Sequence, residues 1–265
     1  MYKFMKITGS GNDFVLFNNL TQNIKNRRHL AIQVCKPKYG IAADGAIFLE
    51  KSKKADYRMR IFNPDGSEAE MCGNGLRCLI RFIHEENLSQ KRTFFIETGA
   101  GIYKTLIDGV DVSVEMFIVG EPRFNIDVKS DKKKFIVHLV NTGVPHVIII
   151  VDNIENIDVK KYGPLIRYHK IFQPAGVNVD WLQIVNRHLG KIRTYERGVE
   201  AETLACGTGI VASVICAAKL GKFSSPVRIQ ARSGEKLTVS FLNDFSQILF
   251  RGKTKLIFEG QWINR

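Results

Sequence analysis

The chain has 265 residues, 39 Lys+Arg against 26 Asp+Glu, a formal net charge of +13, 45% hydrophobic and 25% charged residues. Those proportions exclude a disordered or fibrous chain, and the length allows one large domain or two ordinary ones. The longest purely aliphatic run, Val147 to Val151, is far too short to span a bilayer, and Met1-Tyr2-Lys3-Phe4-Met5-Lys6 turns polar too early for a signal peptide. A cytoplasmic protein with no membrane partner is expected.

Phe14 to Phe17 begins a series of short β-rich stretches bounded by turn residues. Basic residues fall in short clusters at Lys25 to Arg28, Lys51 to Lys54, Lys91-Arg92 and Lys132 to Lys134, all expected in loops between strands. With no basic helix face and no interleaved aromatics, they predict a solvated surface that helps draw in an acidic metabolite, and no nucleic-acid partner. Leu76, Leu79, Ile80 and Ile83 recur at helical spacing, with Arg77, Arg81 and Glu85 on the other side. Strands are expected at Phe94 to Ile96 and Val112 to Ile118, after which Gly120-Glu121-Pro122 breaks the pattern and marks a domain boundary. Val147 to Val151, Lys191 to Tyr195 and Leu237 to Val239 read as further strands. The segment from Gly209 to Leu220 reads as a helix that is apolar nearly all round and ends at Gly221. A helix without a polar face must be enclosed by protein, and curved antiparallel sheet wrapped around each helix meets that need.

Both helices begin at a cysteine. Glu68-Ala69-Glu70-Met71-Cys72-Gly73-Asn74-Gly75 and Glu200-Ala201-Glu202-Thr203-Leu204-Ala205-Cys206-Gly207-Thr208-Gly209 repeat Glu-Ala-Glu and Cys-Gly-x-Gly in one order, the second copy two residues longer between them. Glycines let the backbone approach a ligand, and a helix N-terminus lowers a thiol's pKa and binds carboxylate. Two such units supply two activated thiols and two amide clusters, the equipment for removing a proton from one face of a carbon and returning one to the other. That is the chemistry of a cofactor-independent amino-acid racemase or epimerase. The remaining cysteines, Cys35, Cys78 and Cys216, lack the glycine context and are expected in the core. Five cysteines and six histidines include no Cys-x-x-Cys and no adjacent His pair, so neither a disulfide framework nor a metal site is expected.

Gly9-Ser10-Gly11-Asn12-Asp13-Phe14 stands near the N-terminus, and Arg60-Ile61-Phe62-Asn63-Pro64-Asp65-Gly66-Ser67 leads into Met71 to Cys78. Tyr195-Glu196-Arg197-Gly198 precedes Glu202 to Gly209. From end to end, these segments resemble the diaminopimelate epimerase family. The resemblance implies an α/β fold of the α+β type. Two pseudo-symmetric domains would each wrap a curved, mostly antiparallel sheet around a central helix, with the active site in the interdomain cleft. Residues 1–118 would form the first domain, joined by a returning strand over 254–265, and residues 119–253 the second. The implied activity interconverts LL-2,6-diaminopimelate and its meso form, toward lysine and peptidoglycan precursors, with no cofactor and no metal.

Carried over by position, Cys72 and Cys206 are the acid/base thiols, and Gly73-Asn74 and Gly207-Thr208 the amide clusters for the α-carboxylate. Asn12, Asn63, Asn178 and Arg197 match substrate contacts, while His146 and Glu196 match residues that hydrogen-bond near the reacting amino group and the thiols. The chain departs from the family at Val144, where an asparagine is usual, at Ala175-Gly176, where charged residues are usual, and at Ala42, where glycine is usual. The chemistry residues are intact, so the departures bear on the substrate's distal end. Two rivals stay open: a related racemase with relaxed or different specificity, and a basic nucleic-acid-binding protein with inert or redox-sensitive thiols. The sequence also leaves a homodimer open.

Overall fold

In a computed structural model, which describes residues 1–130 and 133–263, the chain divides into two compact units. One comprises Met1–Glu115 with Arg251–Arg265, the other Met116–Phe250. Two expectations from the sequence, a loop position for Lys132 and a last strand reaching 264–265, lie outside the described residues. Among those described, no helix is long and apolar enough to cross a membrane.

In the first unit, β1 (Tyr2–Gly9) and β2 (Asn12–Asn18) form a hairpin closed by Ser10 and Gly11, whose φ values of 59° and 85° suit a two-residue turn between twisted strands. Next, α1 (Arg27–Cys35) crosses over to β3 (Gly45–Glu50), which runs parallel to β2 and therefore needs such a connection. Antiparallel to β3 runs β4 (Tyr57–Phe62), which carries the short β5 (Glu68–Ala69) at its end. The central helix α2 (Gly73–Glu85) packs against β1 to β4, burying Leu76, Leu79, Ile80, Phe82 and Ile83. Beyond β4 the sheet continues through β6 (Thr93–Thr98), β7 (Gly101–Asp108) and β8 (Asp111–Met116).

The second unit repeats this order. β9 (Arg123–Ser130) pairs with β10 (Lys133–Asn141), which forms a hairpin with β11 (Pro145–Val151). Then α3 (Val159–Arg167) crosses to the parallel β12 (Asn178–Asn186), followed by β13 (Leu189–Glu196) carrying β14 (Ala201–Thr203). The central α4 (Gly207–Lys219) packs against β10, β11 and β12 and is buried from Gly209 to Ala217. It ends where the Gly221 and Lys222 amides donate back to Ala218 and Ala217, with Gly221 at φ 70° as the expected helix stop. β15 (Val227–Gln230), β16 (Lys236–Phe241) and β17 (Ile248–Lys253) follow, and β18 (Lys255–Trp262) returns to the first unit to pair with β1.

The strand expected over Val112 to Ile118 stops at Met116. Phe117 to Val119 leave the ladder, and the Val119 N–H donates to Asn141 O. Chain junctions lie at 115/116 and 250/251, where the sequence reading put 118/119 and 253/254. Arg27 and Arg28 sit in the first turn of α1, and Lys133-Lys134 in β10, rather than in loops. Neither α1 nor α3 was expected as a helix. The repeated Glu-Ala-Glu is also not the structural repeat: Phe62 pairs with Glu68 and Tyr195 with Glu202, so Glu68 corresponds to Glu202, each stands four positions before its cysteine, and the one extra residue of the second copy lies in the turn between β13 and β14. Bidentate pairs confirm this alignment, Arg60 with Glu68 at 2.7 and 2.6 Å and Arg193 with Glu202 at 2.6 and 2.8 Å.

Candidate active site

In the first unit Cys72 is the N-cap of α2. Its backbone is extended and its Sγ accepts the Gly75 N–H at 3.3 Å, satisfying one of the amides a helix start leaves unpaired. Gly73 and Asn74 form the first turn at the positive end of the helix dipole, where a carboxylate binds well. Asn74 is buried, donating to Asn12 Oδ1 at 2.7 Å and accepting from Arg77 Nη2 at 2.6 Å. The fully buried Arg77 also donates to Ser10 Oγ at 2.6 Å, and Asn12 Nδ2 donates to Asp44 Oδ2 at 3.0 Å. A guanidinium at one end and a carboxylate at the other thus fix which way both asparagine amides point. Asn63 stands outside this network, exposed in the turn between β4 and β5 and donating to Ser67 Oγ at 3.0 Å.

In the second unit Cys206 is the N-cap of α4 and is buried, whereas Cys72 is half-buried. Its Sγ lies 3.4 Å from Thr208 Oγ1, which lies 2.9 Å from His146 Nε2. His146 Nδ1 is 2.7 Å from Asp180 Oδ2, both side chains fully enclosed, and Thr194 Oγ1 donates to Asp180 Oδ1 at 2.6 Å. Gly209 makes this packing possible, because a Cβ there would stand 2.5 Å from Asp180 Oδ1 and 3.1 Å from His146 Cε1. Asn178 accepts the Arg197 N–H at 2.8 Å and donates to Pro145 O at 3.2 Å, while Arg197 Nη1 reaches Ala175 O at 3.1 Å. Glu196, half-buried, ends β13.

Electrostatics at Cys206 overturn one expectation. Burial, reinforced by the Glu196 and Asp180 carboxylates, pushes its thiol well above the ordinary value, against the opposing pull of the Thr208 hydroxyl and the Gly209 amide. Desolvation outweighs the helix terminus here, so resting Cys206 is a neutral thiol rather than an activated thiolate. Burial also raises the Glu196 carboxyl, with Thr203 pulling it down and Asp180 adding to the rise. Cys35 and Cys216 are pushed up to about 12 by burial and, like Cys78, are core residues. Among the described residues no cluster of His, Cys, Asp and Glu is arranged to hold a metal ion.

Asp180, Thr194, Ser10 and Asp44 were not singled out from the sequence. Asp180 had left a signal, an acidic residue between the apolar Val179 and Trp181 and two places after Asn178 in β12, hence on the same face as Asn178. Of the departures from the family pattern, Ala42 holds a left-handed φ of 58°, where glycine incurs less strain, and Val144 is half-buried before Pro145.

The diaminopimelate epimerase model matches residues 4–124 and 138–257. The chain is 38% identical over 272 aligned positions to the diaminopimelate epimerase of Aquifex aeolicus, covering 98% of this chain and 97% of the relative. It is 40% identical over 268 positions to that of a Hydrogenobaculum species, covering 96% of each. Among solved structures, a hydroxyproline epimerase from Agrobacterium vitis superposes with a TM-score of 0.72 at 15% identity, over 98% of this chain and 91% of that one. A PhzF-family phenazine biosynthesis protein from Bacillus anthracis gives 0.74 at 16% identity over 99% of each, and at such identities the likeness concerns fold. The sequence matches run through both units and take in both cysteine-capped helices, and on that ground the chain belongs to the diaminopimelate epimerase family.

Proposed function

We propose that this protein interconverts LL-2,6-diaminopimelate and meso-2,6-diaminopimelate by a two-base inversion at one α-carbon, supplying lysine and peptidoglycan precursors. The observation that carries the reading is the paired arrangement of Cys72 and Cys206, each capping the central helix of its own unit behind the same succession of strands. An amino acid's α-hydrogen is a very weak acid, so the developing carbanion needs fixed dipoles aimed at the α-carboxylate. The first-turn amides of Gly73-Asn74 and Gly207-Thr208 fill that role. One cysteine, as thiolate, removes the α-proton, and the other, as thiol, delivers its own proton to the opposite face. The neutral state of Cys206 suits the donor, leaving the less buried Cys72 as the base for that direction; inversion exchanges their states. His146 and Glu196 serve near the amino group and the thiols, and Asn12, Asn63, Asn178 and Arg197 hold the rest of the substrate. Thiol chemistry of this kind fits the reducing cytoplasm.

The test is an assay of LL-diaminopimelate beside a panel of ordinary amino acids in D₂O, with light scattering to read whether the active species is a homodimer. Diaminopimelate should be the best substrate by a wide margin, and absence of α-proton exchange on it would defeat the reading. A second reading, a racemase of relaxed specificity, is favoured by Val144. The corresponding position in the first unit is Asn12, which holds the Asn74 side chain at 2.7 Å, and valine offers neither donor nor acceptor. Comparable kcat/KM values for diaminopimelate and a shorter amino acid would select it.

A further inference from the structure

The paired strand registers align Phe14, Ile47 and Ile61 of the first unit with His146, Asp180 and Thr194 of the second. In the first unit these positions are all apolar, and a Cβ on Gly75 would meet Ile47 and Ile61 at 3.1 Å. In the second, a Cβ on the matching Gly209 would meet Asp180 and His146. The fold therefore builds this site from hydrocarbon without difficulty. A buried carboxylate, imidazole and hydroxyl in the same place cost desolvation that apolar side chains would avoid. A role in the chemistry accounts for retaining them.

We propose that Asp180 is a positioning residue that fixes the tautomer of His146 and, through Thr208, sets the proton state of Cys206. Asp180 Oδ2 accepts from His146 Nδ1–H and Oδ1 accepts from Thr194, so the carboxylate cannot turn away. With its proton on Nδ1, His146 presents Nε2 as an acceptor to the Thr208 hydroxyl, whose oxygen faces the Cys206 thiol. One proton then passes from Sγ to Thr208 Oγ1 as the hydroxyl proton passes to Nε2. An S–H and an O–H bond break, an O–H and an N–H bond form, and no electrons change hands. The product is a thiolate and an imidazolium that keeps Nδ1–H on Asp180; the reverse transfer restores the thiol. The other titratable groups facing Cys206 are Glu196 and Asp180 itself, both of which oppose a bare thiolate. This relay gives a buried, neutral thiol a route to the charge state it needs on alternate turnovers.

The inference rests on the epimerase reading, but its first test does not. In ¹⁵N-histidine NMR of the intact protein, His146 should be the neutral Nδ1–H tautomer with Nε2 unprotonated and accepting. An Nε2–H tautomer in the wild type overturns the proposal, whether or not the protein epimerises diaminopimelate. Asp180→Asn should move the proton to Nε2, because the amide nitrogen can donate to Nδ1. It should also lower kcat about 100-fold with KM changed less than about twofold. Thr194→Val, which frees only one carboxylate oxygen, should give a smaller loss of the same kind and serves if Asp180→Asn fails to fold. Unchanged kcat and tautomer in a folded Asp180→Asn, or unchanged kcat in Thr194→Val where it stands in, would refute the assignment. Wild-type protein lacking α-proton exchange would sink the epimerase reading while leaving the tautomer result to judge this one.

Discussion

The two units share strand order and a cysteine-capped central helix, yet they place their buried polar groups on opposite sides of the helix–sheet contact. In the first, the polar cluster belongs to the helix: Arg77 and Asn74 project from α2 and bind Ser10 and Asn12. The residue matching Arg77 in α4 is the fully buried Val211. In the second, the cluster belongs to the sheet, where His146, Asp180 and Thr194 replace Phe14, Ile47 and Ile61. The contrast separates what the fold needs from what the chemistry needs. Either face can be apolar, so neither cluster is required by the fold. On the proposals above, the cluster beside Cys72 orients amides and the one beside Cys206 controls a proton.

The largest effect should come from the thiols. Cys72→Ala and Cys206→Ala should each lower kcat by about 10³-fold or more, since inversion requires a proton group on each face, with circular dichroism unchanged. Near-normal turnover in either would end the paired account. Next, alanine at the two matched glycines should act unequally. Gly209→Ala drives a methyl to 2.5 Å from Asp180 Oδ1 and should cost about 1–3 kcal/mol of stability and more than about tenfold in kcat. Gly75→Ala meets only Ile47 and Ile61 at 3.1 Å and should be milder in both, by denaturation midpoint and kcat.

The thiols should also differ in reactivity. Burial and two carboxylates hold Cys206 protonated at pH 8, so iodoacetamide should label Cys72 about tenfold faster or more, read by peptide mass. Cys206 labelling should climb only as pH rises beyond the ordinary thiol range, because the raised pKa keeps thiolate scarce below it. A flat pH profile would contradict that. Val144→Asn, which restores in the second unit what Asn12 supplies in the first, should sharpen preference for diaminopimelate over a shorter amino acid by about 1 kcal/mol in the kcat/KM ratio. An unchanged ratio would mean that Val144 does not face the substrate. The smallest contrast concerns the matched ion pairs. Arg193→Ala, at a less exposed pair, should lower stability slightly more than Arg60→Ala, both by about 1 kcal/mol or less.

The two cysteine-capped helix starts were legible because the signal is local: a cysteine followed by Gly-x-Gly announces a helix start within four residues. The apolar circumference of α4 likewise announced its enclosure. What escaped depends on pairing between distant strands. Asp180 touches His146 and Thr194 only through the registers of β11, β12 and β13, and nothing near position 180 names those partners. The same dependence misled the repeat, since Glu200-Ala201-Glu202 looks like Glu68-Ala69-Glu70 but only Glu202 occupies the place of Glu68. Helix α1 escaped because it opens with Arg27-Arg28 at the end where positive charge is disfavoured, and α3 because Gly163 and Pro164 interrupt it. Gly163 is there for packing, as any Cβ would strike the Tyr195 ring.

The central claim is that two thiols act from opposite faces, and the early fate of the α-hydrogen in D₂O tests it most directly. With LL-diaminopimelate at low conversion, mass spectrometry of the separated stereoisomers should find one solvent deuterium in the meso product and almost none in the remaining substrate. Product that keeps the substrate's own α-hydrogen, or deuterium appearing equally in both isomers from the first time point, would mean that a single group serves both faces and would contradict the account.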